Sequence, residues 1–530
     1  MIYSACHRAG TLGLNTLMLL AMGGTTFAQG STRFSEFVRL PHPVDKVTTM
    51  AFCIGDLDGD GDADVLVGKG AVGRPSILIG DGRGGFKDES VQRIPLDAGA
   101  IAYAVALGDV DADGDLDAFV GQLGRFSNAP DRLLINDGKG YFKDLGATHL
   151  PKGGWGSQLA TESAHFVDLD GDGDLDLCFV NDSGGLGPLP IYWNDGKGRF
   201  SFAWGHVPTL PHLGYGLAVG DIDGDKDIDL VYGTMFNGIR VLVNDGQRKF
   251  LDQTAARIPR TGSQEALPVL GDVDGDGDLD LIVGTLWGYK GTKLGQTVLY
   301  LNDGKGVFKE VTATQMPIDD DYTTNLYLRD FDLDGDQDLL IVNQTVKAPG
   351  TKFYANDGKG FFTDRTAIFL PQTTQFPGGT LSDCVAIGIG DLDGDGDLDL
   401  IAGKMGLPSP NGPINDVLVW NTTRHLYAPS SSAATYALDV WGEPGQLALL
   451  FVALKPRRLA LPGLGVLELD LGQTLQWPGV QVLPQSRQSR WNLALPNWMK
   501  GRKLYSQAFL YDSKQPARSR LTNAFEDLIQ

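Results

Sequence analysis

Cysteine is scarce: four residues in 530, too few and too widely spaced for a disulfide framework. Cys53, Cys178 and Cys384 each lie in an apolar stretch and read as buried free thiols, with a Cys53–Cys384 bridge as the alternative. Histidine is scarce too. The seven include His42, His149, His165, His206, His212 and His425; they are scattered, and His165 reads as a structural residue. No zinc spacing, nucleophile elbow or phosphate loop occurs, so nothing in the sequence marks an enzyme. Basic residues are outnumbered 44 to 66, and the net charge of −22 argues against nucleic acid or anionic membrane as partners. No apolar run is long enough to span a bilayer. The run LGLNTLMLLAMG at 12–23 is too short, but with Arg8 before it and TFA at 26–28 after it, residues 1–28 read as a signal peptide cleaved near Ala28. The expectation is an exported protein, secreted or at the cell surface.

What the chain has in excess is glycine, 71 residues, and aspartate on alternate positions. The stretch GDLDGDGDLD at 390–399 recurs, slightly altered, seven times. The runs comprise Asp56, Asp58, Asp60, Asp62 and Asp64; Asp109, Asp111, Asp113, Asp115 and Asp117; Asp168, Asp170, Asp172, Asp174 and Asp176; Asp221, Asp223, Asp225, Asp227 and Asp229; Asp272, Asp274, Asp276, Asp278 and Asp280; Asp330, Asp332, Asp334, Asp336 and Asp338; and Asp391, Asp393, Asp395, Asp397 and Asp399. Spacings of 51 to 61 residues between runs point to a propeller or solenoid. Each run lies between two strand-length apolar stretches, such as YAVALG (103–108) or GLAVG (216–220) before and VLVG (65–68) or LVYG (230–233) after.

A second marker follows each of the first six runs: IGDGRGGF (79–86), INDGKGYF (135–142), WNDGKGRF (193–200), VNDGQRKF (243–250), LNDGKGVF (301–308) and ANDGKGFF (355–362). Asn-Asp-Gly between apolar runs is a hairpin signal, since these residues tolerate positive φ. A further strand after the Phe makes four antiparallel strands per unit, the pattern of a propeller blade. The seventh unit lacks a clear fourth strand, whereas RFSEFVRLP (33–41) supplies a spare one before the first. The N-terminal strand is therefore expected to complete the last blade and close the ring, removing open sheet edges.

Four carboxylates within about 4 Å repel by about 1 kcal/mol per pair even at the dielectric of water. A divalent cation reverses that sign, and D-x-D-x-D-G-x-x-D suits calcium, which takes 6–8 oxygens. In the first loop Asp56, Asp58 and Asp60 would offer side-chain oxygens, Asp62 its backbone carbonyl, and Asp64 would close the shell, with Gly61 permitting the turn. An EF-hand requires an acidic residue at position 12. Here that position holds Val67, Val120, Phe179, Tyr232, Val283, Ile341 and Ala402. On these loops the chain over about 32–428 resembles the FG-GAP/VCBS repeat family, whose blades also form the integrin α-subunit propeller. The resemblance implies an all-β fold, a seven-bladed β-propeller over 29–429 with about seven Ca2+ ions, one per loop. Lys226 replaces the turn glycine of loop four and Leu333 the small residue at position 4 of loop six; weaker binding is expected at loop four.

The rim opposite the aspartate loops is irregular and carries the candidate ligand residues Phe126, Trp155, Trp287, Tyr289 and Tyr322, aromatics suited to a sugar face or a protein. After a linker at 430–434 the composition shifts: residues 435–530 hold 11 basic and 7 acidic residues in alternating, β-like patterns. They read as a C-terminal β-sandwich, resembling a domain on exported proteins of planctomycete-type bacteria. The expected function is a monomeric, non-catalytic binding or adhesion module for a glycan or an extracellular protein. The alternatives are a carbohydrate-active enzyme (lyase or hydrolase) or lectin on the same scaffold, and a structural surface or matrix component.

Overall fold

The computed structural model describes residues 34–39 and 48–404, except 71–74, 97–100, 123–129, 153–160, 188, 235–237, 260–263, 288–294, 320–321, 345–349, 371–383 and 395; beyond 404 and at 34–39 it describes strands without their side chains. The expected signal peptide, Asp395, Phe126, Trp155 and Tyr289 lie outside the described residues.

After strand β1 (Phe34–Arg39), the chain builds one four-stranded antiparallel unit after another. The first is β2 (Thr49–Gly55), β3 (Asp64–Lys69), β4 (Ser76–Gly80) and β5 (Phe86–Asp88); the second is β6 (Ala102–Gly108), β7 (Asp117–Gln122), β8 (Arg132–Ile135) and β9 (Lys143–Asp144). The third is β10 (Thr161–Val167), β11 (Asp176–Gly187), β12 (Ile191–Asn194) and β13 (Phe200–Phe202), and the fourth β14 (Leu210–Gly220), β15 (Asp229–Thr234), β16 (Gly238–Asn244) and β17 (Phe250–Asp252). The fifth is β18 (Gln264–Gly271), β19 (Asp280–Trp287), β20 (Val298–Leu301) and β21 (Lys309–Glu310), and the sixth β22 (Tyr322–Arg329), β23 (Asp338–Gln344), β24 (Thr351–Ala355) and β25 (Thr363–Asp364). Units of this kind, repeated around an axis, make the fold an all-β propeller. A further sheet joins β26 (Cys384–Gly390), β27 (Asp399–Lys404) and β28 (Val417–Asn421) to β1, which pairs antiparallel with β28 from Phe34↔Asn421 to Arg39↔Val417.

The second strand of a unit is sandwiched between neighbouring sheets, which is why runs such as VLV and LVY are apolar on both faces: β3, β7 and β15 are buried end to end. Their side chains form cores between successive units. Leu66, Ile77, Val120 and Leu134 pack together between the first and second, and Leu339, Tyr354, Ile282 and Leu299 between the fifth and sixth. Val65, Val67 and Leu78 pack against Leu392 and Ile401, so the first unit also meets the β26–β28 sheet. Each fully buried Leu, Ile or Val contributes about 1.5–3 kcal/mol. The glycines that end two of these runs have a steric reason. A Cβ on Gly284 would lie 2.6 Å from Thr323 Cγ2 of the next unit, and one on Gly403 2.9 Å from Thr49 Cγ2.

Units three and four are further joined. β11 and β14 extend past their own sheets and pair with each other through Asp182↔Leu213 and Gly187↔Leu210, making one eight-stranded sheet. Cys178 is buried and free, and burial lifts its thiol far above the ordinary range; Cys53 is also free, its thiol pushed up to about 12 by desolvation while Sγ donates to Val105 O. The side chain of Cys384 lies outside the described residues. Beyond β28 the chain continues as strands: Leu426–Ser431, Thr435–Trp441 and Gln488–Ala494 form one sheet, and Leu447–Ala453 with Lys503–Tyr511 centres another. Ser430 and Ser431, within the expected linker, pair with Ala437 and Tyr436.

Candidate metal loops and a central cavity

Each aspartate loop folds on its own first carboxylate. In loop one Asp56 accepts from the amides of Gly59 (2.8 Å) and Gly61 (2.9 Å), and Asp60 from that of Asp62 (2.9 Å). Loop four keeps this geometry although Lys226 stands at φ 78°, its amide bonding Asp221 Oδ2 at 2.9 Å, so the backbone there is that of the other loops. Loops two and six differ slightly. Ala112 and Leu333 sit at position 4 with φ 62° and 60°, and the first aspartate takes its bond from the position-5 amide, Asp113 to Asp109 and Asp334 to Asp330. Leu333 stands out in the sequence as a large residue at position 4, whereas Ala112 is small like the glycine of the sister loops and does not.

The ninth-position aspartates Asp64, Asp117, Asp176, Asp229 and Asp280 are almost fully buried. One oxygen accepts from the amide at loop position 2 (Leu57, Val110, Leu169, Ile222, Val273) and the other from the amide opening the hairpin (Gly80, Asn136, Asn194, Asn244, Asn302), at 2.8–3.1 Å. Desolvation outweighs these bonds and raises Asp64 to about 6 and the other four to about 7. Position-seven side chains turn elsewhere: a Cβ on the hairpin glycines Gly82, Gly138, Gly196, Gly246 or Gly304 would meet the carboxylates of Asp62, Asp115, Asp174, Asp227 and Asp278. That leaves their backbone carbonyls, not their carboxylates, for the loop interior.

The hairpin asparagine does more than turn the chain. Asn136, Asn194, Asn244, Asn302 and Asn356 are buried, and each Nδ2 donates at 2.8 Å to the position-2 carbonyl of the preceding unit's loop (Leu57, Val110, Leu169, Ile222, Val273). Each hairpin thus clamps the neighbouring aspartate loop on one rim. The acceptor is a carbonyl about 80 residues away, which is why the turn motif alone did not reveal it.

The donor set suits a hard divalent cation. The carboxylates of Asp56, Asp58 and Asp64 bring oxygens within 4.8 Å of one another, as do Asp109, Asp111 and Asp117; Asp168, Asp170 and Asp176; Asp221, Asp223 and Asp225; and Asp272, Asp274 and Asp276. Asp58, Asp111, Asp223 and Asp274 each keep one buried oxygen with no hydrogen-bond partner. In loop six Asp338 is fully buried, its Oδ2 is unpartnered, and desolvation raises it to about 8. Buried carboxylate oxygens without a donor are costly, and a calcium ion satisfies several at once.

At the opposite ends of the inner strands lies a cavity of about 900 Å3 on the propeller axis. Six units contribute to it, with Tyr103, Glu162, His165, Tyr215, Tyr322 and Asn325 supplying polar groups. Tyr322 is the one expected rim aromatic placed there; Trp287 ends β19 with its side chain outside the described residues. His165 is half-buried and its Nε2 donates to Leu217 O at 2.9 Å, the satisfied structural role expected of it; desolvation lowers its basicity. Tyr103, Glu162 and Tyr215 were missed, because each is a single strand residue with no local motif. Among the described residues no helix is long and apolar enough to cross a membrane.

A family model described as FG-GAP-like repeat matches residues 47–120, 123–179, 168–232, 221–283, 286–341 and 330–402, about two-thirds of the chain. Among solved structures, the chain is similar to Bacillus licheniformis rhamnogalacturonan lyase PL11, with a TM-score of 0.38 and 14% identity over 74% of this chain and 76% of that one. A comparison with curated proteins found no match.

Proposed function

Since the chain belongs to the FG-GAP-like repeat family, we propose that it is an exported, calcium-stabilised propeller of seven blades acting as a non-catalytic binding or adhesion module. Its ligand is a glycan or an extracellular protein, held on the rim away from the aspartate loops. The observation that carries this reading is the axial cavity, where Tyr103, Tyr215 and Tyr322 offer flat amphipathic surfaces beside a few polar groups, the composition of a ligand pocket. The orphaned carboxylate oxygens support calcium in the loops, and the β1–β28 ladder supports a seventh blade closed by the N-terminal strand. The alternating strands after residue 435 form a C-terminal β-sandwich whose basic balance docks against the acidic propeller.

Calcium would fill loops such as the first through Asp56, Asp58, Asp60 and Asp64, neutralising charge that otherwise pushes the loop apart. Affinity electrophoresis of the full chain through a panel of polysaccharides, with millimolar calcium and with chelator, tests the proposal. Calcium-dependent retardation without released sugar is the expected result. Released product would replace it with an enzymatic reading, and no retardation by any polysaccharide would remove the glycan as ligand.

A further inference from the structure

The aspartate at loop position 3 meets an arginine in loops one, three and four, but not from the same direction. Short helices follow β5, β9, β17 and β21: α1 (Ser90–Arg93), α2 (Gly146–His149), α3 (Thr254–Arg257) and α4 (Thr312–Gln315). Arg93, the last residue of α1, reaches Asp58 Oδ2 at 3.3 Å and the carbonyl of Lys139 in the next hairpin. Arg257, the last of α3, reaches Asp223 Oδ2 at 2.6 Å and Lys305 O at 2.5 Å. In both loops the other oxygen, Oδ1, stays buried and unpartnered, so these arginines hold the outer oxygen and leave the inner one for an ion.

Loop three differs. Asp170 Oδ1 is taken by the amide of Asp172 at 3.2 Å, which leaves Oδ2 as the inner oxygen of a side chain with no exposed surface. Arg248 Nη2 lies 2.5 Å from that oxygen, an ion-pair contact outside hydrogen-bond alignment where Arg93 and Arg257 approach the outer one, and it donates to Asp172 Oδ2 at 3.2 Å, bridging loop positions 3 and 5. The guanidinium comes from the fourth hairpin, VNDGQRKF, where Arg248 stands at φ 65° in the place of Gly140, Gly198, Gly306 and Gly360 of the sister hairpins. It also lies over Trp193, 5.4 Å from the ring centre. A non-glycine residue at positive φ is strained, and here the strain delivers a permanent cation onto the buried carboxylate of Asp170 and the exposed one of Asp172.

We infer that Arg248 is the resident cation of loop three, so that this loop excludes calcium while loops with an open inner oxygen bind it. The inference rests on the calcium reading of the other loops. Units three and four, already joined through β11 and β14, are then held at both rims without metal.

The test is calcium stoichiometry by equilibrium dialysis of the full chain. Arg248→Gly restores the sister-hairpin pattern and should bind one more calcium ion per chain than the wild type; Arg248→Asn, which also tolerates positive φ, should do the same. Asp170→Asn in the wild type should leave the count unchanged. In chelator, Arg248→Gly should melt below the wild type, and calcium should restore it. Equal counts for the wild type and both arginine variants, or a lost ion in Asp170→Asn, overturn the assignment. No calcium bound by any variant overturns the calcium reading itself and the assignment with it.

Discussion

On the acidic rim, unit after unit ends its loop with a buried carboxylate held by the same pair of amides and clamped by the same hairpin asparagine. At the other end of the same strands, the cavity takes something different from each unit: Tyr103 from the second, Glu162 from the third, Tyr215 from the fourth, Tyr322 from the sixth. A repeated rim solves a problem common to all units, the containment of crowded negative charge. A varied rim is free to fit one asymmetric ligand, because the sheets are already held together elsewhere.

If the acidic rim bears the stability, the largest effect should come from removing its ions. Chelation should lower the melting temperature of the full chain by many degrees, since an ion at 100 times its dissociation constant contributes about 2.7 kcal/mol per site; calorimetry with calcium and with chelator measures this. A single clamp should matter next. Asn302→Ala strands the carbonyls of Ile222 and Leu279 and the amides of Asp303 and Gly306, and should cost on the order of 2–4 kcal/mol in urea unfolding.

A third experiment probes the contact between units two and three. Asp131 accepts from Gln122 N and Thr161 Oγ1, and burial raises it to about 7. Its folded pKa lies above its unfolded value, so the folded protein binds a proton that the unfolded chain has released across roughly pH 4–7. Stability from this group therefore falls as pH rises through that window, by at most about 1.4 kcal/mol per pH unit. Asp131→Asn should reduce the difference between urea midpoints at pH 5 and pH 8 by this group's share. The smallest effect on stability, under about 1 kcal/mol, is expected from Tyr322→Ala, yet this change should abolish ligand retention. A large loss of stability there would break the division of labour between the rims.

The same contrast explains what could be read from the sequence. The strands and loops were legible because alternating aspartates between apolar runs have few physical solutions, and the pattern recurs. The spare strand at 33–41 also found its partner, as β1 on β28. Asn302 and its equivalents looked like turn formers; their long-range acceptors are backbone carbonyls, which leave no trace in residue identity. Arg248 was visible only as a missing glycine. The cavity was illegible, since its side chains are assembled one per unit by the arrangement of the strands around the axis.

The ladder between β1 and β28 also sets how the molecule responds to pulling. Phe34, where the described chain enters, pairs with Asn421, where it leaves toward the C-terminal strands, so both points of attachment lie at the same end of one antiparallel ladder. Tension between the two ends of the chain would load that ladder as a zipper, breaking its hydrogen bonds in sequence from Phe34 toward Arg39, not all together in shear. If the protein tethers a surface to a ligand, release of this latch would leave the six units that precede β26 with their own sheets intact.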